Sequence, residues 1–533
     1  MIVTTEQHLQ QEAPANINAM GFIMTRSTLL SFLVCSAALM WLSGCAMLGP
    51  DFATPDSKSP TSWSEEDNKL FLKPTEDETL GWWSTFNDPT LDTLIELFST
   101  QNLTLQTAAV RILEARAQLA RVQGAIYPQK QEMTGDLFTI GAEQTQATID
   151  RYYNVASLGF DVDWEMDFWG KFRRSIESAD ANLLATIADY EDILVSLTAE
   201  TARTYVDIRT LQERIALARK NEELQQNSLD LVNLQFEAGV VTELDVLQAK
   251  TLLSTTRAAI PNLEAALASA TYGLAVLVGV LPEEIDALLE PDLPIPEVTN
   301  QVATMLPAEL LRRRPDVRRA EMRAAAQSAQ IGVAQTELYP SFSLFGSIGW
   351  TASDIGDSSL ADIFESNSFS YTFGPTFTWN LFNYGRLKNE VRIQDARYQQ
   401  TILNYQNTVL NAAREVEDAM KSLVNSYVEA QYVEASVETS QRSTDLSLLQ
   451  YEEGLIDYQR VLDSIRSLTL RQDAYAQTKG KIATNAIGLY KAFGGGWDID
   501  YQNDLLLPEA TLDEMAERTD WGNFLNAEGN GNE

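Results

Sequence analysis

The sequence predicts an α+β membrane protein with an internal two-fold repeat, each unit carrying a short helix, a β-hairpin and a long helical hairpin. Three observations predict it. Residues 171–238 and 386–453 are each 68 residues long without a single Gly or Pro. A constant offset of 215 carries Trp164 onto Trp379, Gly170 onto Gly385, Phe236 onto Tyr451, Gly239 onto Gly454, Val246 onto Val461 and Leu247 onto Leu462. Ahead of each run lies a stretch of apolar–polar alternation, the signature of a half-buried strand. One helix of that length reaches about 100 Å, far beyond a globular core, so the function needs length.

The chain opens on an export signal. Arg26 precedes an apolar run from Leu29 to Leu42 that ends in Ser43-Gly44-Cys45. A positive start, a short apolar core and small residues before the cut describe a secretory signal; the run is too short for a comfortable membrane span. Leu42-Ser43-Gly44-Cys45 also resembles a bacterial lipobox, which makes Cys45 the expected first mature residue and lipid carrier. Each acyl CH₂ buried in a bilayer contributes about 0.8 kcal/mol. Residues before Met24 fit no signal pattern, so Met20 or Met24 is an alternative start. Ala46 stands where retained inner-membrane lipoproteins often carry Asp, which favours delivery to the outer membrane.

Composition narrows the chemistry. Lys and Arg number 39 against 75 Asp and Glu, which argues against a nucleic-acid partner because such proteins present a basic face. The single histidine is His8, and the cysteines are Cys35 and Cys45. A His/Cys zinc site or a histidine-based triad has no material here. No catalytic residue, metal site or cofactor is expected.

After Cys45 no stretch approaches 18 uninterrupted apolar residues; the best, Gly273 to Leu281, abuts Pro282. If the chain crosses a bilayer, it does so as β-structure. From Leu158 to Phe168, Leu158, Phe160, Val162, Trp164, Met166 and Phe168 take one face, while Asp161, Asp163, Glu165 and Asp167 take the other. From Phe369 to Leu381, Phe369, Tyr371, Phe373, Phe377, Trp379 and Leu381 oppose Ser370, Thr372, Thr376, Thr378 and Asn380, with Pro375 breaking the apolar series. Such runs suit tilted transmembrane strands of about 9–11 residues better than soluble strands of about 5–6. Each has an upstream partner: Phe342 to Trp350 alternates after Tyr339-Pro340, whereas Met133 to Ile140, after Tyr127-Pro128, alternates poorly and is a strand by repeat symmetry. Four strands cannot close a barrel, and open edges are intolerable in lipid. A dimer would give 8 strands and a trimer 12. The acids opposite the apolar face are expected to line a lumen and to favour cations.

Within the first long run, Leu183, Ile187, Tyr190, Leu194, Leu197, Thr201, Tyr205 and Ile208 recur at threes and fours, a seam for another helix. Gly239 and Gly454 end the runs, and returning helices are expected to reach Pro261 and Gly480 before their first breaker. Shorter helices, about 103–124 and 315–336, precede each Tyr-Pro and repeat at an offset of 212, matching Arg111 with Arg323. Pro282, Pro291, Pro294 and Pro296 mark a connector, and the acidic tail is expected to fray beyond Trp521.

Taken in order, Gly49-Pro50-Asp51-Phe52, Trp82-Trp83 through Phe86-Asn87-Asp88-Pro89, Trp164-Glu165-Met166-Asp167-Phe168 and Leu311-Arg312-Arg313-Arg314-Pro315-Asp316-Val317 resemble the TolC-like outer-membrane factors, and specifically the NodT-type efflux lipoproteins. The resemblance covers Cys45 to about Trp497. It implies a homotrimer with a 12-stranded barrel in outer-membrane lipid, continuous with a 12-helix periplasmic tunnel and a mixed equatorial collar. It also implies a passive exit duct that partners a periplasmic adaptor and an inner-membrane pump. The chain then divides into 1–44 signal and upstream extension, 45–100 lipidated segment and start of the collar, 101–280 first repeat, 281–306 connector, 307–493 second repeat, and 494–533 acidic C-terminal segment and flexible tail.

The resemblance carries functional positions over only at the helix tips. Asp463, nine residues after Gly454, matches an aspartate that lines the closed aperture, where a ring of acids would form a cation site. Some relatives place a second aspartate where this chain has Arg460, so a double acidic ring is not implied and Arg460 could instead pair with a neighbouring acid and latch the closed state. Gly239, Val240, Leu244 and Val246, with Gly454, Leu455, Ile456 and Val461, resemble the surface that docks the adaptor. Three other readings compete: a periplasmic coiled-coil adaptor, an envelope-spanning structural lipoprotein and, a distant third, an enzyme acting on envelope polymers. An adaptor would carry one hairpin and soluble β-domains, and a spacer leaves the duplicated strands without a purpose.

Overall fold

The computed structural model describes residues 47–58, 60–65, 68, 70–72, 81–141, 152–290, 293–298, 302–303, 313–356, 358–496 and 507–525. Cys45 and the export signal lie outside them. The elements run β1 (Phe71–Leu72), α1 (Pro89–Gln101), α2 (Leu103–Gly124), β2 (Lys130–Gly141), β3 (Tyr152–Met166), α3 (Lys171–Glu237), α4 (Glu243–Val278), α5 (Pro282–Leu289), β4 (Val302–Ala303), α6 (Pro315–Thr336), β5 (Ser341–Ser353), β6 (Phe369–Thr378), α7 (Arg386–Glu452), α8 (Tyr458–Ala492) and α9 (Glu509–Arg518).

The repeat is visible residue for residue. Helices α3 and α7 start and stop at positions 215 apart, α4 and α8 start 215 apart, and α2 and α6 are 212 apart at both ends. Both tips close alike. Gly239 donates to Phe236 O and Val240 to Gln235 O, while Gly454 donates to Tyr451 O and Leu455 to Gln450 O. Both glycines sit at positive φ, 72° and 71°, the left-handed turn that satisfies the last carbonyls of a helix.

One four-stranded antiparallel sheet holds β2, β3, β5 and β6 in that order, leaving β2 and β6 as its edges. Strand β3 begins at Tyr152, six residues before the alternation does, and ends at Met166 rather than Phe168. Strand β6 stops at Thr378, before Leu381. The poorly patterned β2 is nevertheless paired along all twelve of its residues with β3, because ladder hydrogen bonds are indifferent to side-chain type.

Two expected breakers do not break. Helix α4 runs through Pro261 to Val278; the residue is exposed, so the carbonyl left without its donor faces water. Helix α8 runs through Gly480, where a Cβ would stand 2.3 Å from the Thr210 hydroxyl. That glycine lets α3 and α8 approach. In the described part of the tail, Leu507, Leu512, Met515, Trp521 and Leu525 pack on Phe98, Leu105, Tyr190 and Leu194, so packing reaches Leu525, past Trp521.

Around the middle of the helices a collar gathers the largest core. Trp82 stacks on Tyr490 at 5.3 Å among Phe86, Leu91, Leu94, Tyr205, Leu274, Met420 and Leu423. Asn87 takes a left-handed φ of 50°, Asp88 accepts from the amides of Thr90 and Leu91, and Pro89 occupies the first turn of α1. The Phe-Asn-Asp-Pro motif is thus a helix start.

Candidate functional site

The strands build a wall with two chemistries. Residues directly opposite in an antiparallel pair share a face, and the register sets Phe160 against Met133 and Ile348, Leu158 against Trp350, and Gly346 against Phe373. Tyr371, Phe373 and Phe377 are exposed on that face. On the opposite face Asp161 lies against Glu132 and Ser347, Asp163 against Lys130 and Phe345, and Ser343 against Thr376. An exposed aromatic face of this size suits lipid, and the hydroxyl and carboxylate face suits water.

The predicted lumenal acids do not all serve alike. Asp161, Asp163 and Glu165 share the polar face; Lys130 pairs with Glu132 beside them, and Glu165 meets Lys171 at 3.3 Å. Asp167 departs from the expectation. It lies past the end of β3, where its carboxylate accepts from the amides of Phe172 and Arg173 and from Arg173 Nε at 2.9 Å. It caps the first turn of α3, whose free amides attract a carboxylate, so its charge is engaged by the helix rather than carried by the strand.

Strand and helix are tied where they meet. Trp164 donates its indole N–H to Ile126 O at 2.9 Å, and Trp379 donates to Leu338 O at 3.1 Å. Trp169 donates to Pro340 O and lies on Tyr339. With the exposed Tyr127, Phe382 and Tyr384 these rings form a band at one end of the sheet, the position aromatic girdles take at a membrane surface. Trp350, Phe364 and Phe369 pack together at the other end.

The first described residues run beside this junction. Leu48 N–H donates to Trp169 O at 3.1 Å. Arg174, whose side chain is only 2% exposed, donates to Leu48 O, Gly49 O and the Asp51 carboxylate and pairs with Glu177. Farther down, Thr54 bonds Glu321, Gln406 bonds Asp56 O, Ser64 meets Glu417, and Lys421 pairs with Glu65. The segment is a strap from the girdle to the collar. Sequence reasoning saw the Gly-Pro-Asp-Phe stretch but not its receptor, because Arg174 lies more than a hundred residues away.

At the opposite end the two hairpin tips share one core of Leu229, Val232, Val246, Leu253, Tyr451, Tyr458, Val461, Leu462 and Ile465. Burial pushes the Tyr451 hydroxyl up to about 12. Val246 and Val461, expected on a docking surface, are therefore interior and hold the two hairpins together. Val240, Leu244 and Leu455 are exposed, and Ile456 is half-buried against that core. Asp463 stands two residues from both Val461 and Ile465, on the side away from the core; Gln459 bonds it at 3.1 Å and Arg466 approaches to 3.9 Å. Arg460 is exposed in the first turn of α8, with no side-chain partner among the described residues.

In the collar, Tyr205 donates to Asp88 at 2.7 Å and accepts from Arg209 Nε at 3.1 Å. Burial, and then the bond to Asp88, push its hydroxyl up to about 12. Burial works against the charge of Arg314, but the hydrogen bonds it donates to Asp316 and Glu415 outweigh it and hold the guanidinium above its ordinary value.

Comparison with known proteins gives one consistent answer. The family described as outer membrane efflux protein matches residues 94–280 and 306–495. Nodulation protein T of Rhizobium leguminosarum bv. viciae is 30% identical over 467 residues, covering 88% of this chain and 94% of that one. The pyoverdine export outer membrane protein OpmQ of Pseudomonas aeruginosa is 30% identical over 481 residues, covering 87% and 98%. Among solved structures, the outer-membrane channel OprN superposes with a TM-score of 0.79 at 32% identity, covering 85% of this chain and all of that one.

Proposed function

This chain belongs to the outer membrane efflux protein family and is an outer-membrane exit duct reaching into the periplasm; from that premise we propose how the duct is assembled, anchored and gated. The observation that carries the assembly is the sheet with two bare edges. Strands β2 and β6 each present an unpaired row of backbone groups beside an aromatic, lipid-facing wall, and lipid leaves no other partner than another copy. Pairing β6 of one protomer with β2 of the next keeps the antiparallel alternation, and three copies close 12 strands.

The repeat supplies the helical contacts of that ring. Thr210 on α3 meets Gly480 on α8 inside one protomer. Moved by one repeat, the same contact becomes Asn425 on α7 against Ala265 on α4 of the next protomer. The two edges that would meet carry exposed apolar side chains: Val428 and Tyr432 on α7, Tyr272 and Val276 on α4. Cysteines at Asn425 and Ala265 are expected to cross-link into dimers and trimers on oxidation, with no larger species. A purified mature chain that stays monomeric and water-soluble without detergent, and never conducts in a planar bilayer, would sink the reading.

The strap supports lipidation at Cys45. Leu48, three residues on, is already bonded at the girdle where strands meet helices, so an acyl group there would enter the periplasmic leaflet beside the end of β3. At the other end, Asp463 from three copies forms an acidic constriction and Leu455, Val240 and Leu244 dock a periplasmic adaptor that brings the inner-membrane pump. Nothing in this role calls on catalysis or a cofactor. The adaptor and spacer alternatives lose ground to the sheet, which neither needs.

A further inference from the structure

We propose that the collar level of this duct carries an oxyanion-binding groove centred on Arg203 and Lys491, an inference that rests on the duct reading above. A groove of about 370 Å³ opens between α3, the start of α6, α7 and the end of α8. Four acids line it: Asp192, Asp316, Glu415 and Asp418. Each is already paired, Asp192 with Arg319, Asp316 and Glu415 with Arg314, and Asp418 with Arg414. Four cations line it too, and two of them, Arg203 and Lys491, have no acid bonded to them among the described residues. The lining is balanced in number, but its acids are engaged by Arg314, Arg319 and Arg414, which leaves Arg203 and Lys491 as the cations open to a ligand in a chain whose formal net charge is −36.

The place of Arg203 is built. Its Nε–H is buried without a hydrogen-bond partner, a costly state for a charged donor unless something occupies the groove. Its Nη2 lies where a side chain at 488 would be: a Cβ on Gly488 would stand 2.7 Å from it. A glycine inside a helix costs about 1 kcal/mol relative to alanine, and here it seats a guanidinium. Lys491, three residues on, is the neighbour of Gly488 on the same helix face. The two cations therefore converge from α3 and α8. Glu200 and Asp207 flank Arg203 on α3; neither is hydrogen-bonded to it, although Arg203 favours the charged form of Asp207 through space against its burial.

The groove faces the conduit. On α8 the collar core takes Ala483, Ala486, Ile487 and Tyr490, whereas the groove takes Asn485, Gly488 and Lys491, centred about 150° away round the helix. On α7 the core takes Val416, Met420 and Leu423, and the groove takes Glu415, Asp418 and Ser422. The strap meets α7 at Glu417 and Lys421, a third side from core and groove, so in the ring proposed above the groove is turned inward. Three copies would set six cations around one level of an otherwise acidic passage. A carboxylate or phosphate solute repelled elsewhere would find a resting place there, held by the fork of Arg203 and the point charge of Lys491.

The test is citrate on the full mature protein, read in two ways. In planar bilayers at about 0.1 M KCl, where the Debye length is about 10 Å, citrate added on the extracellular side is expected to block current. Arg203→Gln with Lys491→Gln should still conduct but need at least about tenfold more citrate for half-block, about 1.4 kcal/mol. Gly488→Ala, which displaces Arg203 and keeps both charges, should shift half-block the same way, and Arg203→Lys should recover part of it. Calorimetric citrate titration of the detergent-solubilised protein reads the site without conduction, and serves if the double variant fails to insert. A conducting wild type whose citrate response matches that of the variants overturns the groove and leaves the duct standing. A wild type that binds citrate but never conducts overturns the duct.

Discussion

Asn102 and Arg314 occupy equivalent positions in the two repeats, and each closes the returning helix of its own unit. Asn102 Nδ2 donates to Leu277 O at 2.6 Å, and Arg314 Nη1 donates to Ala492 O at 2.7 Å, carbonyls 215 residues apart. Each residue is also the cap of the short helix that follows it, α2 or α6. One side chain thus joins two helices end to end, so that α2 stands on α4 and α6 on α8 and the column continues through the collar. The unit is duplicated in geometry while its key residue differs in chemistry.

That difference sets the first expectation. Asn102→Ala removes a cap and one buried bond, which costs about 1–2 kcal/mol. Arg314→Leu strands the Ala492 carbonyl and removes the bonds to Asp316 and Glu415 as well, and hydrogen bonds to charged groups are worth about 1.5–3 kcal/mol apiece. Thermal unfolding in detergent, followed by near-ultraviolet circular dichroism, should place Arg314→Leu well below Asn102→Ala. Equal losses would refute the assignment.

The girdle ties make a second comparison. Trp164→Phe and Trp379→Phe each delete one indole N–H bond to a helix-end carbonyl, worth about 1 kcal/mol apiece. They sit in different repeats and share no partner, so their effects should add. The temperature at which the assembled form dissociates in detergent is the readout. A double variant that falls much further than the sum would mean the two ties act as one.

How much of this was open to reading depends on distance along the chain. The long helices announce themselves, because nothing from Lys171 to Ala238 can end one, and β3 and β6 show their two faces in the order of their residues. Strand β2 does not, since Phe138 and Ile140 fall on the polar face opposite Val155 and Tyr153; its place comes from its neighbour. Asp167 continues the alternation of Asp161, Asp163 and Glu165 yet belongs to the helix, because the strand stops one residue earlier. The Arg174 seat and the Arg314 bridge join residues more than a hundred positions apart, and local pattern carries no trace of them.

The strap offers a third expectation. Arg174 gathers Leu48 O, Gly49 O and Asp51 with a planar fork that a lysine cannot reproduce. Arg174→Lys should loosen residues 47–58 and expose them to trypsin at Lys58, while the helical body stays intact. Unchanged cleavage at Lys58 would show that the lower contacts of Glu65 and Glu417 suffice to hold the strap.

Tyr205 gives a dependence on pH. Its hydroxyl ionises near 12 in the folded collar against about 10 in an unfolded chain. The unfolded state therefore releases this proton first as pH rises, and the stability the buried neutral phenol contributes is full below pH 10 and lost between about 10 and 12. The loss is of order 2 kcal/mol. Tyr205→Phe should start lower, having lost the bond to Asp88, and fall less steeply across that window than the wild type. Parallel curves would remove Tyr205 as the cause.

The tip supplies the last expectation, and here the two repeats disagree in sign. Thr242 and Asp245 form a reciprocal cap at the start of α4, with the Asp245 carboxylate accepting from Thr242 N–H at 3.0 Å. At the matching place on α8, Asp457 caps the helix through Arg460 N–H, and Arg460 stands where Asp245 stood. A cation in the first turn opposes the helix dipole, and replacing it with an acid gains about 0.3–1 kcal/mol locally. Arg460→Asp should therefore steady the tip while adding a second ring of acids three residues from Asp463. Repulsion among six carboxylates at one constriction should in turn favour the open end, raising conductance and sensitivity to divalent cations. Asp463→Asn should weaken the cation effect in the wild-type background and leave the fold unchanged, since Asp463 is exposed and only loosely held by Gln459 and Arg466. If neither substitution alters block by a divalent cation, the constriction lies elsewhere and Asp463 is a solvated flank of α8.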